Sequence, residues 1–92
     1  MLSITNETEQ QFYALVGRRI RHLRWISGVS QSDLAEALGV SVALLRACEA
    51  GLTRPSADLL LAIARAQSMP IAFYVAAPES AWDQSAGMSK LH

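Results

Sequence analysis

Arginine is the side chain in this sequence best suited to bind a partner, because its planar guanidinium group donates several hydrogen bonds to phosphate and other anions. Residues 17–55 hold three carboxylates, Asp33, Glu36 and Glu49. The same stretch holds six arginines: Arg18, Arg19, Arg21, Arg24, Arg46 and Arg54. The stretch is therefore basic by about three charges, although the formal net charge of the 92-residue chain is zero. This local excess favours an anionic partner for the central part of the chain.

The other reactive side chains do not form a catalytic or metal-binding pattern. His22 and His92 are far apart, and the single cysteine, Cys48, excludes an internal disulfide and has no partner at zinc-site spacing. The serines stand where helices are predicted to begin, and no glycine-rich phosphate loop follows a strand. We therefore predict a protein that is not an enzyme and uses no cofactor or metal, with Cys48 as a small buried hydrophobe rather than a redox sensor.

The ends of the sequence and its apolar runs bear on where the protein works. The N-terminus, MLSITNETEQQ, is polar and acidic and lacks the form of a signal peptide. No apolar run approaches the roughly 20 residues needed to cross a membrane. A lone cysteine also suits a reducing compartment. These observations predict a cytoplasmic protein.

Apolar residues recur at three- and four-residue spacing, which indicates amphipathic helices, and no alternating strand-like run occurs. A capping box of Asn6 and Glu9 predicts the start of the first helix, and Gly28 predicts its end. The first apolar stripe consists of Phe12, Leu15, Val16, Ile20, Leu23 and Ile26. Ser56 is placed to cap a fourth helix, and the run IAFYVAA after Pro70 predicts a short fifth one. The fold class is thus predicted to be all-α, with five helices.

Two short helices joined by a tight glycine turn lie in the middle of the sequence. Ser30 is placed to cap a helix from Gln31 to Leu38, and Gly39 supplies the left-handed conformation of the turn. Ser41 is then placed to cap a third helix, from Val42 to Ala50. This arrangement is typical of a helix-turn-helix, which lays its second helix in the major groove of DNA.

Residues 16–77 resemble the Cro/C1-type, or XRE-type, helix-turn-helix domain of phage repressors and many bacterial regulators. The matching residues are Arg24, Gln31, Leu34, Ala35, Leu38, Gly39, Val40, Ser41, Leu45, Glu49, Gly51, Pro55, Ile63 and Ala64. The resemblance implies a five-helix, lambda-repressor-like domain over residues 1–78, with the helix-turn-helix proper at 31–50. Residues 79–92 would then be a short C-terminal tail, either a dimerisation segment or disordered.

The resemblance also implies roles for individual side chains. Arg24 and Glu49 would form a buried ion pair that fixes the third helix against the first. Gln31 would lie beside the DNA backbone and contact a phosphate or an outer base. Ser41 would cap the third helix and also donate to phosphate. Further candidate phosphate contacts are Arg18, Arg19, Arg21 and Arg54.

The surface that the third helix would turn toward DNA carries few hydrogen-bonding groups. With Leu45 and Cys48 pointing inward, the groove-facing set is Val42, Ala43, Arg46, Ala47 and Ala50. Only Arg46 in this set can form a bidentate hydrogen bond to a base, whereas the small apolar side chains can contact thymine methyl groups. Leu44 adds exposed apolar area or packs at the rim.

Two hypotheses of function follow. In the first, the chain is a sequence-specific transcription regulator that binds double-stranded DNA as a homodimer, with half-sites about one helical turn apart. In the second, the apolar face of the third helix binds another regulatory protein, as in a co-regulator, anti-repressor or antitoxin. Neither hypothesis includes a small-molecule ligand domain, and the sequence does not distinguish activation from repression.

The aromatic residues are candidates for core and interface positions. Phe73 and Tyr74 of the fifth helix are expected to make core and dimer contacts, with the tail and the N-terminal segment adding to the dimer. Trp25 does not belong to the apolar stripe of the first helix, so its side chain is expected either to be exposed at an interface or to lie flat against its own helix. Trp82 would clamp the C-terminal segment to the body or to a second subunit.

Overall fold

Five helices and no strand make up the part of the chain that the computed structural model describes, which is the backbone of residues 2–76 and the side chains of residues 8–76. The helices are α1 (Leu2–Ser27), α2 (Gln31–Leu38), α3 (Val42–Glu49), α4 (Ala57–Ala66) and α5 (Ile71–Val75). The predicted all-α, five-helix class is confirmed. The expectations for Trp82 and for the tail at 79–92 fall outside the described residues.

The start of α1 differs from the prediction. The helix begins at Leu2, so the capping box proposed at Asn6 and Glu9 does not mark its first turn, and that prediction is wrong. A capping box supplies about 1 kcal/mol of local preference, and an asparagine inside a helix costs less than that, so the helix can continue through it. The other end follows the prediction, because α1 stops at Ser27 and Gly28 adopts a φ of +72°.

The predicted serine caps are confirmed at three helices. The hydroxyl oxygens of Ser30, Ser41 and Ser56 accept hydrogen bonds of 3.0, 3.0 and 3.1 Å from backbone N–H groups in the first turns of α2, α3 and α4. The end of α3 differs by one residue from the prediction. It stops at Glu49, and Ala50 serves as its C-cap, because the chain turns at Gly51 with a φ of +75°.

The core lies among all five helices, with α1 packed on α3 and α5, and α2 packed on α3 and α4. Each helix contributes at least one buried apolar side chain to it: Val16, Ile20, Leu34, Ala35, Leu45, Ile63, Ala64 and Tyr74. The buried positions predicted for Leu45 and Cys48 are confirmed. Tyr74 is fully buried and Phe73 half-buried, so the core role expected of α5 is confirmed. The dimer role expected of these two aromatics stays a prediction.

A glycine that the sequence analysis did not single out sets the distance between α1 and α3. A Cβ atom on Gly17 would lie 2.5 Å from the carbonyl oxygen of Glu49 and would also collide with that of Cys48. Because these neighbours are backbone atoms, neither can swing aside. Gly17 therefore allows α1 to lie directly against the C-terminal end of α3.

The short helix α5 is held against α1 by Arg19. One guanidinium nitrogen of Arg19 donates to the carbonyl oxygens of Phe73 at 3.0 Å and Ala76 at 2.7 Å, and the guanidinium lies over the Phe73 ring. The positive charge also suits the C-terminal end of a helix. Arg19 was a candidate phosphate contact; one of its terminal nitrogens is engaged with α5, and the phosphate role stays a prediction.

Buried polar groups complete the attachment of α5. The Tyr74 hydroxyl donates to the side-chain oxygen of Gln67 at 2.7 Å, and the Gln67 amide donates to the carbonyl oxygen of Ile20 at 3.0 Å. This chain of hydrogen bonds joins α5 through the end of α4 to α1. Burial raises the pKa of Tyr74 to about 12, because the phenolate form would lose its hydration.

Candidate nucleic-acid interface

The turn between α2 and α3 has the geometry of a helix-turn-helix. Gly39 adopts the left-handed conformation, with φ 73° and ψ 30°. The N–H of Val40 donates to the carbonyl oxygen of Ala35 at 3.1 Å, which closes the end of α2. Ala35 is fully buried, and its small side chain permits the close approach of neighbouring helices. The turn thus fixes the angle at which α3 leaves α2.

The side of α3 that points away from the core is apolar apart from one cation. Ala43, Arg46 and Ala50 are exposed, and Ala47 is half-buried. Val42, which was expected on this side, is half-buried and packs against the core. Because Leu45 and Cys48 anchor the opposite side in the core, this side of α3 is available to a partner. Arg46 has no hydrogen-bond or ion-pair partner within residues 8–76, so its five N–H donors are free to bind a ligand.

A buried carboxylate connects α3 to α1 and α2. Glu49 is 4% exposed. Its two oxygens accept hydrogen bonds from Arg24, one of 2.8 Å from Nε and one of 3.1 Å from a terminal nitrogen. Arg24 also donates to the carbonyl oxygen of Val29 at 3.0 Å, which ties the end of α1 to the loop before α2. This bidentate pair fixes the relative positions of the helices.

Gln31, the first residue of α2, shares the same carboxylate. Its side-chain amide donates to Oε1 of Glu49 at 3.0 Å. The resemblance implied a contact of this side chain with DNA, and the bond to Glu49 was not predicted from the sequence. One amide N–H remains for an outside partner, so Gln31 is a side chain held in place rather than a freely rotating one. The pairing joins residues 18 apart in the sequence, and no local pattern indicates it.

The remaining candidate residues lie around this helix pair. Ser41 accepts the hydrogen bond from Leu44 that caps α3, and its own hydroxyl proton is free to donate. Arg54 is exposed in the loop between α3 and α4, and Arg21 is exposed on α1. Neither arginine has a partner among the described side chains. The structure therefore brings Gln31, Ser41 and α3 together and places Arg21 and Arg54 on flanking elements.

Leu52 is an exposed residue that the sequence analysis passed over. It follows Gly51 in the α3–α4 loop, and 82% of its surface is exposed. Leu44, on α3, is also exposed, at 38% of its surface. The sequence feature that could have indicated this exposure is the place of Leu52 directly after the glycine that ends α3, because a side chain there has no core to enter.

Other kinds of site receive no support from the described residues. No three His, Cys, Asp or Glu side chains lie close enough within this part of the chain to hold a metal ion. None of its helices has the length and hydropathy that crossing a bilayer requires. Burial, together with the neighbouring Glu49 carboxylate, raises the pKa of the Cys48 thiol and keeps it protonated.

The sequence and the fold are both similar to those of known regulators. A profile of the helix-turn-helix domain matches residues 15–70. The uncharacterised HTH-type transcriptional regulator YazB of Bacillus subtilis is 46% identical over 44 residues, which are 48% of this chain and 64% of that protein. The chain thus spans less than two thirds of that relative's length.

Two solved structures share the fold over most of the described residues. The restriction-modification controller protein C.AhdI of Aeromonas hydrophila superposes with a TM-score of 0.65 at 27% identity, covering 67% of this chain and 94% of that one. The clp gene regulator ClgR of Corynebacterium glutamicum superposes with a TM-score of 0.70 at 26% identity. That match covers 87% of this chain and 85% of ClgR.

Proposed function

Because this chain belongs to the Cro/C1-type helix-turn-helix family of transcription regulators, we propose that it binds specific sites in duplex DNA as a cytoplasmic homodimer. The observation that carries this proposal is the solvent-facing side of α3. On the opposite side of the helix, Leu45 and Cys48 pack into the core, so Ala43 and Arg46 project into solvent. A helix with such small side chains fits deep in the major groove.

In this proposal α3 reads the base sequence. Arg46 donates a bidentate hydrogen bond to a guanine edge, the contact that arginine makes most often with bases. The apolar side chains of Val42, Ala43 and Ala47 contact thymine methyl groups, and Ala50 lies at the edge of the groove. With one hydrogen-bonding reader in each subunit, the shape and deformability of the DNA supply the remaining specificity.

Phosphate contacts supply most of the affinity. The free amide N–H of Gln31, the hydroxyl of Ser41 and the guanidinium groups of Arg21 and Arg54 are the donors that we assign to phosphate. The last two are unpaired within residues 8–76, so no internal ion pair must be broken when DNA binds. Each charged contact releases counterions, so affinity should fall steeply as salt concentration rises.

Dimerisation through α5 is the second part of the proposal. Ile71 and Val75 leave apolar surface exposed on this helix while Tyr74 points into the core. A twofold-related pair of subunits would bury that surface and place two α3 helices about one turn of DNA, roughly 34 Å, apart. The expected binding site is therefore a pair of inverted half-sites.

A second candidate function has its own supporting observation. Leu44 on α3 and Leu52 in the next loop are both exposed, and neither side chain can hydrogen-bond to DNA. An apolar helix face of this kind is typical of binding to a groove or helix of another protein. In this alternative the chain regulates transcription by binding a second regulator.

Genome-wide mapping of bound DNA, followed by binding measurements on the recovered sites, distinguishes the two functions. Arg46→Ala should weaken binding by about 1–3 kcal/mol and relax the preference at one base position in each half-site. Arg65→Ala, which removes an exposed arginine from α4, is the matched control and should leave binding unchanged. Enrichment of no common sequence, with co-purification of one regulator that Ala47→Glu abolishes, would favour the protein-binding alternative.

A further inference from the structure

The solvent side of α1 carries a large exposed aromatic residue near an exposed arginine. Trp25 is 80% exposed and Ile26 is 66% exposed, although both are large hydrophobic side chains. Arg18 and His22 precede Trp25 by seven and three residues and are also exposed. These four residues define the outer face of α1. Because successive residues of an α-helix are rotated by about 100° around its axis, this face lies opposite to the buried Ile20.

The charge of this region is not balanced internally. Residues 10–32 contain four arginines and no aspartate or glutamate. Two of the arginines are engaged, Arg19 with α5 and Arg24 with Glu49. The other two, Arg18 and Arg21, have no hydrogen-bond or ion-pair partner in the described part of the chain. The outer face of α1 therefore combines exposed apolar area with an uncompensated positive charge.

We infer that the outer face of α1 docks an acidic, amphipathic segment of a partner protein. Tryptophan and arginine are the side chains that most often dominate the energy of protein interfaces, and an exposed tryptophan is costly to leave in water. Carboxylates on the partner would pair with Arg18, while its apolar side chains would cover Trp25 and Ile26. Duplex DNA suits the face less well, since phosphates would pair with arginine but nothing in the backbone would cover the apolar side chains.

The outer face of α1 is distinct from the exposed side of α3, although Arg21, which we assign to phosphate, neighbours both Arg18 and Trp25 on α1. The side of α1 that carries Gly17 and Arg24 packs on α3, whereas Arg18 and Trp25 point outward from that contact. A partner on the outer face would therefore not cover the exposed side of α3. The inference adds a second binding surface to the proposed regulator and does not depend on how α3 reads DNA.

Fluorescence of Trp25 tests the inference directly. A Trp82→Phe chain keeps Trp25 as its single tryptophan. The probes are a synthetic amphipathic helix of leucine and glutamate, and the same helix with lysine in place of glutamate. We expect the acidic helix to shift the emission to shorter wavelength in a saturable way, and the basic helix to leave it unchanged.

Charge reversal provides the matched variants. Arg18→Glu should weaken binding of the acidic helix by roughly tenfold or more, because like charges then face each other. Arg65→Glu changes the net charge equally on α4 and should have no effect, and circular dichroism should show both variants folded. Equal binding of the acidic and basic helices, or failure of the acidic helix to bind, would overturn the inference. So would a Trp25 emission that shifts on addition of site-containing duplex DNA, or one that depends on protein concentration alone.

Discussion

Replacing Glu49 by alanine is expected to be among the most damaging single changes in this chain. The carboxylate accepts hydrogen bonds from Arg24 and Gln31, and its removal leaves the Arg24 guanidinium largely buried without its counter-charge. Stranding one partner of a buried ion pair costs about 3–5 kcal/mol. A domain of this length has a total stability of about 5–14 kcal/mol, so the loss is a large fraction of the whole.

Thermal unfolding followed by circular dichroism measures this loss. A change of 1 kcal/mol shifts the melting temperature of a domain this size by about 4–8 °C, so Glu49→Ala should lower it by roughly 12 °C or more. Glu36→Ala, which removes an exposed carboxylate from α2, is the control and should stay within about 0.5 kcal/mol of the parent.

The double variant Arg24→Met/Glu49→Leu separates the penalty of a stranded charge from the net contribution of the pair. Apolar replacement of both partners of a buried ion pair is often close to neutral. The double variant should therefore recover most of the stability that Glu49→Ala loses. A single variant that melts within about 3 °C of the parent, or a double variant no more stable than the single one, would refute this reasoning.

Three other changes test the packing of α1 and α5. Gly17→Ala should destabilise the fold despite the better helix propensity of alanine, because the new Cβ meets the Glu49 carbonyl. Its control, Gly28→Ala, places a Cβ with no neighbour within 4 Å and should cost only about 1 kcal/mol of backbone strain. Equal urea midpoints for the two variants would contradict this. Arg19→Ala should release α5 and raise the dissociation constant of the homodimer, measured by analytical ultracentrifugation, and an unchanged dimer would exclude Arg19 from this role. The raised pKa of Tyr74 predicts stability that is complete below about pH 10 and declines as the pH rises through about 12, because the unfolded tyrosine ionises first. Tyr74→Phe should remove this part of the pH dependence, and a persistent alkaline loss would assign it to another group.

The features that the sequence predicted well are local ones. Ser30 and Ser41 cap helices through the backbone N–H groups three residues later, and Gly39 makes a turn that other residues avoid. A few adjacent residues are therefore enough to indicate each feature. The inward positions of Leu45 and Cys48 followed from helical periodicity in the same way. The start of α1 was missed because the local preference at Asn6 was weaker than the tendency of the helix to continue.

The features that the sequence did not predict join distant parts of the chain. Arg19 reaches α5 across more than fifty residues, and its type and spacing were equally consistent with a phosphate contact. The close approach at Gly17 depends on the backbone of α3, which no pattern in α1 reveals. Trp25 is exposed rather than flat on its helix, an alternative that helical periodicity alone left open.

The small side chains on the open side of α3 bear on how easily such a regulator can change its targets. Ala43 and Ala50 are exposed, so larger polar side chains at these positions would extend into solvent and would not change the packing of the core. Exposed substitutions of this kind usually change stability by less than about 0.5 kcal/mol. If α3 reads DNA as proposed, new preferences among promoters are therefore accessible by single mutational steps, without prior compensating changes elsewhere in the protein.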